Sequence, residues 1–356
     1  MTGPTPSPGA ADAASGASGR MGPGTPARRA TIEDVAARAG VSRAAVSKVL
    51  RDAYGVSDSM RERVTAAMAE LNYRPSIAAR AMRGRTYTIG IELPDLANQF
   101  FTRIVRGATS ALEGTPYQII LAPAETGSRL GYRALEALVD RQVDGLIAVS
   151  PRVDEDALER IAASVPLVMF GRLDTSDRYD VVAGDDLGGA RLALQHLFDL
   201  GHTRIAHLTL PREDPDAPYP HSGRLREYLA AMAARGLEPE VWGTQDGADA
   251  AYRTTREAID RGTRATAVFA AHDELAFGAM RALSDTGADL SVIGYDDVAM
   301  ASHPGIGLTS VDQPGERMGA RAVEMLLERI AGRSTAVREV FEASLKPRAS
   351  TRPPRD

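Results

Sequence analysis

The chain has 356 residues, 44 % of them apolar and 25 % charged, with a net charge of −5. That length suggests two or three folded units around a sizeable core. It contains no cysteine, which excludes disulfides, thiolate zinc sites and cysteine nucleophiles. No run approaches the roughly eighteen apolar residues of a membrane span, and no secretory signal opens the chain. A cytoplasmic protein is expected.

The net charge hides an asymmetry. Residues 1–86 carry 13 Lys and Arg against 7 Asp and Glu, and the remainder 29 against 40. A basic head on an acidic body points to a polyanion as the partner of the head. Arginine supplies 40 of the 42 basic residues, which the codon bias of a GC-rich genome accounts for.

Residues 1–27 are Gly, Pro, Ala, Ser or Thr at 23 positions. Such a segment cannot bury enough surface to offset its ordering entropy, so a disordered tail is predicted over 1–29, with Met21 a second candidate start. Thr31 and Asp34 then have the spacing of a capping box. Val35, Ala36 and Ala39 recur at helical spacing, and Gly40 ends that helix. Ser42 caps a second helix bearing Val46, Val49 and Leu50, and Ser57 a third bearing Val64, Ala67, Met68 and Leu71. Pro75 stops it. Two helices joined at Gly40 by a tight turn suit DNA, the second exposing Arg43, Ala44, Ser47, Lys48 and Arg51 to the major groove. An ordinary three-helix bundle with a solvated basic face is the other reading.

Beyond a short Ala-rich stretch, Ser76–Met82, apolar runs alternate with amphipathic helices. Strands are predicted at Tyr87–Leu93, Tyr117–Leu121, Gly145–Val149, Leu167–Phe170, Arg204–Leu208, Ala267–Ala270 and Ser291–Gly294. Helices are predicted at Phe100–Leu112, Tyr132–Asp140, Glu155–Ala163, Gly189–Leu200, Arg224–Arg235, Ala250–Asp260 and Glu274–Thr286. Strands alternating with crossover helices imply parallel sheets covered on both faces. Two such series predict two α/β lobes with a ligand cleft between facing strand ends.

The strings "ATIEDVAARAGVSRAAVSKVL" and "VSDSMRERVTAAMAELNYRPSIAARAMR" resemble the DNA-binding head of the lactose-repressor/galactose-repressor family of bacterial transcription factors. The similarity continues to about Arg348. It implies a helix-turn-helix head over 30–75, a hinge helix and linker over 76–86, and a two-lobed periplasmic-binding-protein-like body over 87–349. Lobe 1 is expected at about 87–185 and 313–332, lobe 2 at about 186–312 and 333–349, with 350–356 a tail. Arg43 and Ala44 fall at the pair that reads base edges, and Lys48 at a third reader or phosphate clamp. Ser42, Ser47 and Tyr73 fall at phosphate contacts. Arg51 stands where Asn is usual. Met82 takes the place of the residue that wedges into the minor groove.

In the body, the resemblance places Phe100 against a ligand ring, Arg224 and Asp273 on its polar groups, and His272 where Asn is usual. Gln245 occupies the slot of a stacking aromatic. Asp185 and Asp186 are expected to cap a helix, with one reaching the cleft. Gly171 stands where many relatives carry Asp, Glu227 where Gly is common, and the connection Gly287–Leu290 is short. These departures argue against a simple hexose. His202 and His207 are read as structural. The expected partners are therefore operator DNA, a sugar or related metabolite, and a second copy of the chain. No leucine heptad marks a tetramer. No cofactor or metal is implied.

No P-loop, HExxH pair, glycine fingerprint or nucleophile elbow is present, so an enzyme is not expected. The resemblance implies a repressor whose operator affinity follows a cleft-bound effector. The alternatives are an activator, a regulator answering to a protein partner, and a solute-binding protein for uptake, which would lack the basic head.

Overall fold

A computed structural model describes residues 3, 30–50, 53–74, 85–124, 131–210 and 214–355. The expectations for the tail at 1–29, for Arg51 and for the hinge helix with Met82 lie outside these residues. The chain forms two compact units, Met1–Ser76 and Ile77–Asp356.

The first unit packs α1 (Ile32–Ala39), α2 (Arg43–Leu50) and α3 (Asp58–Glu70). Thr31 and Asp34 close a capping box: the Asp34 amide donates to Thr31 Oγ1 at 3.3 Å and the Thr31 amide to Asp34 Oδ2 at 2.7 Å. Gly40 ends α1 at φ 65°, a left-handed conformation that favours glycine. Ser42 and Ser57 accept from the Ala45 and Met60 amides, which start α2 and α3. The spaced apolar positions then meet in one small core of Val35, Ala36, Ala39, Val46, Val49, Val64 and Ala67.

The second unit contains two six-stranded sheets. Lobe 1 uses β1 (Thr88–Leu93), β2 (Gln118–Pro123), β3 (Gly145–Val149), β4 (Leu167–Phe170), β5 (Asp180–Gly184) and β11 (Arg338–Phe341), ordered β11-β5-β4-β3-β1-β2. Lobe 2 uses β6 (Ile205–Thr209), β7 (Glu240–Gly243), β8 (Ala267–Ala270), β9 (Ser291–Asp296), β10 (Thr309–Asp312) and β12 (Ser344–Lys346), ordered β12-β10-β9-β8-β6-β7. Every pairing is parallel except β10 with β12. Central strands such as β3 are buried throughout, as continuous apolar runs in parallel sheets must be.

Helices cover both sheets: α4 (Gln99–Ala111), α5 (Tyr132–Asp140), α6 (Glu155–Ala162) and α11 (Gly315–Ile330) on lobe 1, and α7 (Asp186–Asp199), α8 (Pro220–Ala233), α9 (Ala248–Asp260) and α10 (Asp273–Thr286) on lobe 2. Where α4 crosses α11, any side chain at Gly107 would collide with the Glu316 backbone, and one at Gly319 with that of Ile104. The chain passes between lobes after β5, after β10 and between β11 and β12, so both sheets turn strand ends toward one cleft.

Two expected boundaries need correction. Strand β11 pairs with β5, Arg338 opposite Val181, and so belongs to lobe 1. Residues beyond 349 are no loose tail either. Ser350 accepts from the Val292 amide at 2.8 Å and donates to the Gly307 carbonyl at 3.0 Å, and the Arg352 amide donates to Ser291 Oγ at 3.0 Å. These bonds tie the C-terminal segment along β9.

Candidate functional site

On the head, Ser42, Arg43, Ala44 and Lys48 are exposed along α2, while Ser47 and Tyr73 are half-buried. Arg43 Nε lies 3.3 Å from Glu33 Oε1 at the start of α1. Both side chains are largely exposed, so this pair holds Arg43 only weakly. The start of α2 thus presents a guanidinium and a methyl group side by side.

In the body, a cavity of about 870 Å³ separates the lobes, within the range of ligand sites. Phe100, Asp186, Arg224, Gln245 and His272 all line it. Phe100 begins α4, which Asn98 caps by accepting from the Phe100 amide at 2.9 Å. Asp185 caps α7 through the Gly188 amide, leaving Asp186 to face the cleft. Arg224 projects from α8. Its Nε and Nη2 lie 3.0 and 2.9 Å from Asp186 Oδ1, and Nη1 donates to the Ala271 carbonyl at 2.5 Å. Burial raises the Asp186 pKa, with Arg224 working against it. The pair fixes one wall of the cavity.

Asp273 does not belong to that wall. Only 1 % exposed, its carboxylate accepts from the Val298 amide at 2.8 Å and from Ser310 Oγ at 2.6 Å. It turns inward from the start of α10 and anchors the loop after β9. Asp296, at the end of β9 with φ 105°, is a further carboxylate that lines the cavity. Gln313 Nε2 donates to its Oδ1 at 2.7 Å, and Arg103 of lobe 1 donates to its carbonyl at 2.6 Å. Burial pushes the Asp296 pKa up, against the pull of Arg224, His272 and Gln313. Asp296, and not the Asp273 expected on the ligand's polar groups, is thus the aspartate of these two that faces the cavity. The signal was its position at the carboxyl end of a parallel strand, in "SVIGYDD".

His272 brings a feature that the sequence did not disclose. Its ring stacks on His221 at 5.3 Å and 16°, and its Nε2 lies 2.9 Å from Asp246 Oδ1. Burial first, then the Arg224 charge, holds the His221 pKa well below the ordinary imidazole range. Burial opposes ionisation of Asp246, yet His272 and His221 hold its carboxyl below the usual range. Asp95, Asn98, Ser150, Arg152, Tyr219 and Gln313 complete the polar lining, and Leu96, Phe101, Phe170 and Met318 much of the apolar part.

The other histidines are bonded inside lobe 2. His207 Nδ1 contacts the Phe269 carbonyl at 2.9 Å, and burial pushes its pKa down to about 4. His202 bridges Thr266 Oγ1 and the Arg352 carbonyl. Among the described residues no group of three or more His, Asp or Glu is placed to hold a metal. None of their helices is long and apolar enough to cross a membrane.

A helix-turn-helix head joined to two α/β lobes around a ligand-sized cavity defines the class: a DNA-binding regulator with an effector-binding body. The comparisons agree. Residues 31–76 match the family described as "Bacterial regulatory proteins, lacI family", and residues 194–351 the "Periplasmic binding protein-like domain". The Ribose operon repressor of Escherichia coli K12 is 34 % identical over 85 % of this chain and 93 % of its own. The HTH-type transcriptional regulator CelR of Thermobifida fusca is 35 % identical over 91 % and 98 %. Among solved structures, the lac repressor dimer bound to operator and the anti-inducer ONPF aligns with TM-score 0.74 and 30 % identity, over 91 % of this chain and all of that one. A CelR–cellobiose complex aligns with TM-score 0.64 and 33 % identity over the same shares. The chain belongs to the lacI family of bacterial regulatory proteins.

Proposed function

We propose that this protein is a cytoplasmic homodimeric repressor that leaves its operator when an uncharged polyhydroxylated metabolite, a sugar or close relative, enters the cleft. Twofold symmetry would set two heads on adjacent half-sites of a near-palindromic operator. Arg43 reads a guanine and Ala44 packs on a thymine methyl. Ser42, Ser47 and Tyr73 serve the backbone, Lys48 is a third reader or a phosphate clamp, and Met82 wedges the central step.

The carrying observation is the polar lining of the cavity. Asp95, Asp186, Asp246 and Asp296 outnumber Arg152 and Arg224, which disfavours an anionic effector. Asp296 is buried with Gln313 on one oxygen, so hydroxyl donors suit the other. His272, Gln245 and Arg224 offer further polar contacts beside Phe100. A ribose repressor and a cellobiose-bound regulator among the relatives support the same chemistry. The effector acts through its different affinity for the operator-competent and released states.

The test starts with operator fragments selected from the native genome, followed by fluorescence anisotropy with a panel of sugars. At least one sugar should lower operator affinity tenfold or more, on the order of a typical allosteric coupling. A protein that holds its selected fragment equally under every metabolite would refute effector control.

A further inference from the structure

A second hollow of about 530 Å³ adjoins the main cavity, and Arg152 and Tyr219 line both. Neighbouring residues of three separate chain segments line the two spaces. After β4, Phe170 and Gly171 line the inner cavity and Arg172 to Thr175 the outer. After β3, Ser150 lines the inner, Arg152 both, and Val153 to Glu155 the outer. Before α8, Pro220 lines the inner, Tyr219 both, and Pro218 the outer.

Gly171 keeps the junction open. At φ 88° it has a left-handed backbone, and a side chain there would meet Ser150 Oγ and come within 3.7 Å of Pro220 Cγ. The outer wall is also held in place. Arg172, 3 % exposed, donates to Asp174 at 3.0 Å and to the Pro151 and Val153 carbonyls at 2.9 and 2.7 Å. The Tyr219 ring stands at the boundary, 5.1 Å from the Arg152 guanidinium carbon and 5.5 Å from that of Arg172. Leu173 is exposed beside it, and Asp154 and Glu155 supply carboxylates.

We propose that the cleft is a two-compartment site for a linear oligosaccharide, the inner ring against Asp296 and Arg224 and the next ring against Tyr219 in the outer hollow. The inference rests on the sugar reading above and adds the size class of the ligand. An aromatic ring takes the apolar C–H face of a sugar, while carboxylates and a guanidinium take its vicinal hydroxyls. A wall already fixed by Arg172 lets this second ring bind with little further ordering. The missing carboxylate at Gly171 fits the same picture, since a side chain there would stand between the compartments.

The test is calorimetric titration of the full chain with matched series: glucose, cellobiose and cellotriose; xylose and xylobiose; mannose and mannobiose; galactose and galactobiose. In the series that binds, the disaccharide should bind about tenfold tighter than its monomer, the gain expected of one stacked and hydrogen-bonded ring. Leu173→Trp, at an exposed position that fills the outer hollow, should collapse that ratio toward one while leaving monomer affinity unchanged. Tyr219→Ala should also collapse the ratio. Equal affinities for monomer and disaccharide, or a ratio that survives both substitutions, would overturn the two-compartment site alone. Silence from every series would instead overturn the sugar reading and this inference with it.

Discussion

The Arg224 guanidinium lies over the ring of Tyr295, 3.6 Å from its centroid, and both side chains are buried. Cation–π attraction on one side and Asp186 on the other leave this arginine little freedom. It is a fixed part of the lobe 2 wall, already in place before a ligand arrives. Its charge is balanced by Asp186, so it offers directed N–H groups rather than a free positive charge.

That arrangement makes Arg224→Lys a severe change. A lysine keeps the charge but cannot span Asp186 and the Ala271 carbonyl together. Effector affinity should fall about 30-fold, which corresponds to roughly 2 kcal/mol for the lost directed bonds. Operator affinity without effector should stay within about twofold. Anisotropy titrations with and without effector measure both, and an unchanged effector midpoint would remove Arg224 from the site.

Asp296 and Asp273 separate recognition from architecture. Asp296→Asn should weaken effector binding about tenfold, a charge-assisted hydrogen bond becoming a neutral one, with the melting temperature held or raised. Asp273→Asn exchanges one acceptor oxygen for a donor in a buried site that already receives two donors. It should lower stability by about 1–3 kcal/mol and leave effector affinity alone once corrected for folded fraction. Thermal melts paired with titrations distinguish the two outcomes.

Much of this was legible in the residues, and the gaps have physical causes. Capping pairs and unbroken apolar runs are local signals, so α5 and β3 lie where periodicity places them. Strands β7 and β11 are short edge strands with alternating exposure, too weakly apolar to stand out. Strand β11 falls in lobe 1 because the chain stays on that side of the cleft after α11 and recrosses only before β12, which no local pattern encodes. Which of several aspartates faces the cleft depends on the positive φ of Asp296 and on Arg103 holding its carbonyl from the other lobe. The His221–His272 stack joins residues from two different helix starts and exists only after folding.

On the head, Arg43→Ala should relax preference at one operator base pair, at about 1–3 kcal/mol. Glu33→Gln is the control, because it releases Arg43 from its weak ion pair. It should strengthen binding to all sequences slightly and leave the order of preference intact. Competitive binding to a set of single-base operator variants reads both. Uniform weakening by Arg43→Ala would make that residue a phosphate contact.

Glu92 is fully buried in β1, and burial pushes its carboxyl up to about 8 although the Val149 amide donates to Oε2 at 3.0 Å. An unfolded glutamate titrates near 4.5, so between these values the folded state binds the extra proton. Stability from this group is then full below about 4.5 and declines as pH rises through about 8. Glu92→Gln keeps an uncharged group of the same shape and removes that loss. Melting curves of the two proteins should coincide near pH 5 and separate toward pH 9, the variant melting higher by on the order of 5 °C. Asp186, Asp273 and Asp296, also raised by burial, drift in the same direction in both proteins. The difference between the curves therefore isolates Glu92, and parallel curves across the range would show that its proton is lost before pH 5.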